Sequence, residues 1–290
     1  MRIPLAQLFA FTRDIKLEHT LFALPFAFIG ALAAQRAGPG EITPRLGLLI
    51  LAAMVTARTA AMGFNRWHDA PLDARNPRTK NRAIPAGLLD RRTALAASIG
   101  CAALFITSAS AINLLAGLLS PVALAVILGY STTKRWTAAS HLVLGLSLAM
   151  APAGGWIAVS GGFAPPLFFL AASVLLWVAG FDILYSMMDL EFDKRAGLHS
   201  IPARLGERAA MNLSRAFHAG AVVLLWLFGL HTSAGRGWTS ATIVTALCLI
   251  AEHQLARDKT RIPAAFFHVN AAIGLILLAG FGFDTWYRTA

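Results

Sequence analysis

A chain of 290 residues that is 57% hydrophobic and only 13% charged has more apolar surface than a soluble domain of its size can bury, which excludes a soluble globular protein. Its net charge of +11 would point to nucleic acid in a soluble chain. Here the basic residues gather in alternate loops between apolar runs, so no nucleic-acid partner is expected.

The stretch Ile3 to Phe11 reads as an interfacial helix, and Arg13, Asp14, Lys16 and Glu18 interrupt any apolar core, so no cleavable signal peptide is expected. Nine apolar runs follow, each compatible with the roughly 20 residues that span a bilayer as a helix. They run from Leu17 to Ala37, Leu46 to Trp67, Thr93 to Leu114, Leu118 to Ser131, His141 to Val159, Pro165 to Met188, Met211 to Leu230, Trp238 to Gln254 and Ala264 to Phe283. The fourth is short for a full span. Cys101 and Cys248 lie inside such runs and offer neither a disulfide framework nor a cysteine metal site. With the N-terminus inside, all of the 25 Lys and Arg except Arg36, Arg45, Arg236 and Arg288 fall at or near the inner side. This asymmetry predicts a cytoplasmic N-terminus and an outer C-terminus. The fold class is therefore an all-α, polytopic membrane protein of nine transmembrane helices, with residues 1–290 forming one domain.

At the end of the second run comes Asn65-Arg66-Trp67-His68-Asp69-Ala70-Pro71-Leu72-Asp73, followed by Arg75, Arg78, Lys80 and Arg82. A shift of 120 positions carries Asp69 onto Asp189 and Asp73 onto Asp193, again after an apolar run and before Lys194, Arg195 and Arg204. The recurrence suggests two related halves around residues 65–73 and 189–193. At 100° per residue, Asp182, Asp189 and Asp193 lie within about 40° of one another on one helical face. Arg58, Asn65 and Asp69 make a similar stripe on the earlier helix, whereas Glu191 points away from its acidic neighbours. Charged groups inside a span face protein or water, so a polar cavity between these two helices follows. Pro71 lacks an amide donor and predicts a broken turn between Asp69 and Asp73.

Clustered carboxylates repel unless a cation neutralises them, and loose all-oxygen sites suit Mg²⁺ joined to phosphate. Neighbouring guanidinium groups supply the fork that chelates phosphate oxygens. Two acidic pairs beside basic loops thus point to diphosphate–metal chemistry. A helix-end Asp more simply caps or solvates a loop, but two motifs of matching spacing, with Asp182 and Arg58 deeper in the spans, favour a site.

These residues resemble the UbiA-type superfamily of intramembrane prenyltransferases, whose signatures are N-D-x-x-D-x-x-x-D and D-x-x-x-D. The resemblance covers nearly the whole chain: Asn65, Asp69 and Asp73 match the first signature, Asp189 and Asp193 the second, with Asp182 and Tyr185 in the preceding turns. Arg58, the run Arg78-Thr79-Lys80-Asn81-Arg82 with Pro85, Tyr130 with Lys134-Arg135, and Gly197-Leu198-His199-Ser200-Ile201-Pro202 agree as well. Arg66 replaces the usual second acidic residue, and the opening reads Ile15-Lys16-Leu17-Glu18-His19-Thr20-Leu21-Phe22-Ala23-Leu24-Pro25. That combination is similar to a prokaryotic branch named for 4-hydroxybenzoate polyprenyl transfer, some members of which are assigned to the futalosine route to menaquinone.

The resemblance implies nine helices around a central cavity in the inner (cytoplasmic) membrane, and transfer of a polyprenyl group from its diphosphate to a small hydroxylated aromatic acid. The acceptor is 4-hydroxybenzoate or, on the menaquinone route, 1,4-dihydroxy-6-naphthoate. It further implies that Asn65, Asp69, Asp73, Asp189 and Asp193 hold Mg²⁺ and that Arg78, Arg82, Lys134 and Arg135 bind the diphosphate. Arg58 and Asn65 would meet the aromatic substrate, and Asp182 would orient or deprotonate it. A transporter with Asp182 and Arg58 as an ion site is the rival of a different class, but no pair of spans is visibly interrupted in mid-membrane. A CDP-alcohol phosphotransferase would need an Asp-Gly-x-x-Ala-Arg signature, which neither motif has. His68 reads as interfacial, His19 and His199 resemble branch motif positions without a direct catalytic role, Met187 and Met188 read as packing, Gly154-Gly155 as close helix packing, and Trp67, Trp136 and Trp238 as an aromatic belt.

Overall fold

The computed structural model describes residues 5–15, 20 and 22–289, which contain helices, turns and loops and no strand. Ile3, Lys16 to His19 and Leu21 lie outside the described residues, and so does the side chain of Arg288. A short amphipathic helix, α1 (Leu5–Asp14), precedes the spans. Then come α2 (Leu24–Ala37), α3 (Pro44–Asp73), α4 (Arg91–Ile112), α5 (Leu114–Thr133), α6 (Ser140–Ser160) and α7 (Pro165–Ser186). Two short helices follow, α8 (Leu190–Ala196) and α9 (Ile201–Leu205), before α10 (Glu207–His231), α11 (Arg236–Leu255), the single turn α12 (Ile262–Ala264) and α13 (Asn270–Thr289). Among the described residues, seven helical segments, in α3, α4, α5, α6, α7 continued through α8, α10 and α13, are long and apolar enough to cross a membrane. Helices α2 and α11 lie where the first and eighth predicted spans were expected but are not among those seven.

Local chemistry sets the helix ends. Thr43 Oγ1 accepts from Leu46 N (3.2 Å) with Pro44 in the first turn, which starts α3. Asn113 Oδ1 accepts from Ala116 N (2.8 Å) and starts α5 four residues before the predicted span, so the fourth run has 20 helical residues. Pro71 does not break α3, which continues to Asp73, contrary to the expected broken turn. The other carboxylate segment is the one that breaks: α7 stops at Ser186, a 3₁₀ turn covers Met187–Asp189, and α8 carries Asp193. Asp182, Asp189 and Asp193 therefore do not lie on one continuous α-helix, as the 100° spacing assumed. Gly197, at φ +65°, ends α8 in the left-handed conformation that glycine adopts without strain.

Helix α7 is central, buried from Trp177 through Phe181 on all sides. It packs against α6 and α10, and α2, α13 and α11 complete the ring, while α5 and α3 stand beside α6 and α4 packs on α3 and α5. Phe22, Phe26, Trp156, Trp177, Phe181, Phe228, Trp238 and Phe281 fill the main core. Trp238 is 2% exposed and donates Nε1–H to Leu225 O (3.0 Å), so it is a core residue and not part of an aromatic belt. The α2–α6 contact is so close that a side chain at Gly155 would be driven into the Ala27 carbonyl, and one at Gly30 into that of Pro152. Leu48, Ile99, Leu104, Leu118, Val122, Phe168, Val223, Leu247 and Ile250 point outward, as a lipid-facing shell requires.

Candidate active site

The C-terminal ends of α3, α5 and α7, with the loops that follow them, meet in one place. The first loop reaches across to the second motif. Arg78 donates from Nε to Asp189 Oδ1 (2.8 Å) and from a terminal nitrogen to Oδ2 (2.5 Å), forming a two-pronged pair over 111 positions of sequence. Asn76 Nδ2 adds a bond to Asp189 Oδ1 (3.0 Å), and the Arg78 fork also donates to the Tyr185 hydroxyl (3.1 Å) while lying over its ring. Burial alone would lower the Arg78 pKa, but the bonds to Asp189 outweigh it and leave the guanidinium above its ordinary value. Its charge is fixed at any working pH.

Each of the other motif carboxylates also has a cation. Arg82 donates to both oxygens of Asp73 (2.8 and 2.9 Å). Lys134 Nζ lies 2.9 Å from Asp193 Oδ1, and Arg135 lies 3.5 Å from Asp69 Oδ1 while donating to His68 O (3.1 Å). Lys134 and Arg135, adjacent at the end of α5, thus divide between the two motifs. The loop after the second motif is tied to the same place, with His199 N donating to Lys134 O (2.8 Å). All four predicted cations pair with the four motif carboxylates.

Among the described residues, no group of three or more His, Cys, Asp or Glu side chains forms a ready-made metal cluster. The donor set nevertheless fits a hard divalent ion, because the motif carboxylates are all oxygen and one of them is under-satisfied. Asp193 is 0% exposed, neither of its oxygens has a hydrogen bond, and its contact is the single ion pair to Lys134. A buried carboxylate left in that condition is stabilised by any further cation.

Deeper in the membrane, Asp182 faces α6. Ile201 N donates to His141 Nε2 (3.2 Å), so the ring proton sits on Nδ1 and is donated to Asp182 Oδ2 (2.7 Å). On α3, Asn65 Nδ2 donates to Asp69 Oδ2 (2.9 Å) and Ser131 Oγ (3.3 Å), while its Oδ1 accepts from Arg66 (2.9 Å). Arg58 is half-buried on the same helix, two turns further from the motif. Tyr130 lies within electrostatic reach of Asp69 and Asp182.

The model of the UbiA prenyltransferase family matches residues 23–283. The chain belongs to this family. Among similar solved structures, a UbiA homologue from Aeropyrum pernix K1 in its apo form superposes with a TM-score of 0.85 at 37% identity, covering 92% of this chain and 98% of that one. A UbiA homologue from Archaeoglobus fulgidus bound to GPP and Mg²⁺ superposes at 0.70 with 20% identity, covering 94% and 99%, and shows the shared fold. Similar curated proteins include the 4-hydroxybenzoate octaprenyltransferases of Nitrosomonas europaea, 28% identical over 98% of this chain and 97% of its relative, and of Salmonella paratyphi C, 26% identical over 97% of each.

The candidate site contains residues that spacing alone did not single out. Asn76 and His141 carry no motif spacing, and they reach Asp189 and Asp182 from distant segments. Asp14 meets Arg66 at 3.3 Å, which only the packing of α1 brings about. Glu191 is exposed and Met187 buried, in keeping with the interfacial and packing roles expected of them. Trp136 is exposed, and His68 stacks on Phe64.

Proposed function

We propose that this prenyltransferase moves a polyprenyl group from polyprenyl diphosphate to 4-hydroxybenzoate, with Mg²⁺, at the cytoplasmic face of a prokaryotic inner membrane. The observation that carries the reading is the one-to-one pairing of the four motif carboxylates with four cations. Such a site is poised for exchange. A metal–diphosphate complex would draw Asp69, Asp73, Asp189 and Asp193 to the metal and Arg78, Arg82, Lys134 and Arg135 to the phosphate oxygens, so opposite charges stay matched when the substrate enters. The Archaeoglobus homologue holding GPP and Mg²⁺ supports this assignment by analogy of fold. The ion, when bound, supplies Lewis-acid stabilisation of the departing diphosphate.

The chain's own residues do the rest. Arg78 and Arg82 stabilise the charge that develops on diphosphate as the bond from its oxygen to prenyl C1 breaks and the electron pair leaves with oxygen. The ring carbon ortho to the hydroxyl of the acceptor then forms the C–C bond to prenyl C1, and the ring proton passes to the phenolate oxygen, which restores aromaticity and the hydroxyl, so that one proton is released in all, the phenolic one. Asp182, held by His141, takes up or orients the phenolic proton, and Arg58 holds the acceptor's carboxylate. The apolar outer helices exclude water from the allylic cation. The charge asymmetry of the loops supports the cytoplasmic placement. The curated relatives' names favour 4-hydroxybenzoate, and the branch resemblance keeps 1,4-dihydroxy-6-naphthoate as the second acceptor.

Product analysis by mass spectrometry tests the proposal. Membranes containing the protein receive Mg²⁺, a polyprenyl diphosphate and either acceptor. Prenylated hydroxybenzoate is expected. Prenylated naphthoate alone would move the enzyme to the menaquinone route, and no product from folded protein with either acceptor would reject the proposed acceptor class.

A further inference from the structure

Arg66 stands where the family signature carries an acid, and it is only 6% exposed. A buried guanidinium needs partners for its fork, and here the partners lie on two elements. One terminal nitrogen donates to Asn65 Oδ1 (2.9 Å), while Nε and the other terminal nitrogen donate to Asp14 O (both 3.3 Å), the carbonyl at the last residue of α1. Nε is also 3.3 Å from Asp14 Oδ2. The helix end presents partial negative charge, so Arg66 caps α1 as well as pairing with its terminal side chain.

Two consequences follow for Asn65. Arginine has no acceptor, so the Asn65 atom that meets Arg66 is the oxygen, and the atom that meets the Asp69 carboxylate is the nitrogen. The orientation is fixed from both sides. The only atom of Asn65 able to bind a hard metal is already held by a buried positive charge, and a divalent ion on the same oxygen would sit against that charge.

We propose that Arg66 is a positioning residue, which turns Asn65 into a donor that orients Asp69 in place of a metal ligand and ties the surface helix α1 to the first acidic motif. The tie has structural weight. Phe11 and Ile15 pack with Ala83, Leu89 and Ala94, so α1 lies on the loop that carries Arg78 and Arg82. Gln7 donates to Asp90 at the far end of that loop (3.0 Å). Arg66 thus connects α1, the metal-facing carboxylate and the diphosphate-facing loop.

The inference rests on the diphosphate–metal reading of the site, and the test separates the two. Full-length protein in nanodiscs is titrated with Mn²⁺ in the presence of a non-reacting prenyl thiolodiphosphate, and bound ion is read by electron paramagnetic resonance. Asp69→Asn is expected to weaken Mn²⁺ binding at least tenfold. Asn65→Ser, which keeps a donor for Asp69, is expected to change it less than threefold while lowering kcat. Arg66→Met should lower kcat with little change in Mn²⁺ affinity and should raise hydrogen exchange in residues 5–15, and Arg66→Lys, which keeps the charge, should recover part of both. Asn65→Ser weakening Mn²⁺ as much as Asp69→Asn would overturn the inference and leave the metal reading intact. Unchanged exchange in α1 for Arg66→Met would overturn the tie. No Mn²⁺ effect from Asp69→Asn would overturn the metal reading, and this inference with it.

Discussion

Replacing Arg78 with methionine probes the bond between the two halves of the site. Asp189 is 6% exposed and would keep only the Asn76 bond. Removing one partner of a fully buried pair typically costs about 3–5 kcal/mol, because a charge is left without compensation. The Arg78 side chain is 32% exposed, so water recovers part of the loss and about 2–3 kcal/mol of destabilisation is expected. Loss of the cation proposed to stabilise the departing diphosphate should separately lower kcat by about 10²–10³. The double variant Arg78→Met with Asp189→Asn tells the two effects apart. Neutralising Asp189 removes the stranded charge, so thermal stability in detergent should return towards wild type while turnover stays lost. Unfolding is followed by intrinsic fluorescence and turnover by prenylated product. Near-wild-type kcat in folded Arg78→Met, or a double variant no more stable than the single one, would refute the reasoning.

Other outcomes follow from the same geometry. Lys134→Met strands the fully buried Asp193, so its unfolding temperature should fall and should rise on adding Mg²⁺ by more than that of the wild type. His141→Leu removes the N–H donor to Asp182, and kcat is expected to fall by about ten- to a hundredfold with KM for the diphosphate unchanged, as read from initial rates at varied substrate. Gly155→Ala drives a methyl into the Ala27 carbonyl, and the α2–α6 separation should destabilise the fold by about 3 kcal/mol or more, measured as loss of folded yield and unfolding temperature.

The spans were legible because apolar length is set by the bilayer, and the four motif carboxylates because their spacing recurs along the sequence; Arg78 and Arg82 stood out as the basic loop after the first motif, whereas Lys134 and Arg135 came only from the family resemblance. Faces within one helix can be read from spacing. The register between helices cannot, and so the sequence did not reveal that Arg78 belongs to Asp189 or that Lys134 and Arg135 divide between the motifs. The 3₁₀ turn at Met187–Asp189 contains no glycine or proline to mark it, whereas Pro71, the visible breaker, sits in an unbroken helix. Near a helix end proline forfeits little, and the chain after it still closes onto α3, with Ala74 N donating to Ala70 O at 3.1 Å. His141 reaches Asp182 only because α6 packs on α7, and a histidine at a span's end is otherwise an ordinary interfacial residue. Trp238 misled for a similar reason: its position near a span end matched an aromatic belt, but the approach of Phe228 and Phe281 buries it.

The central claim is that the paired carboxylates and cations open onto a metal–diphosphate complex to transfer a prenyl group. Its most direct test is prenylated product formed from polyprenyl diphosphate and 4-hydroxybenzoate by wild type, Asp69→Asn and Asp189→Asn, each with EDTA and with Mg²⁺ restored. The account predicts product from wild type only, lost with EDTA and regained with Mg²⁺, with both variants folded and inactive. Turnover that survives either substitution or metal removal would contradict it.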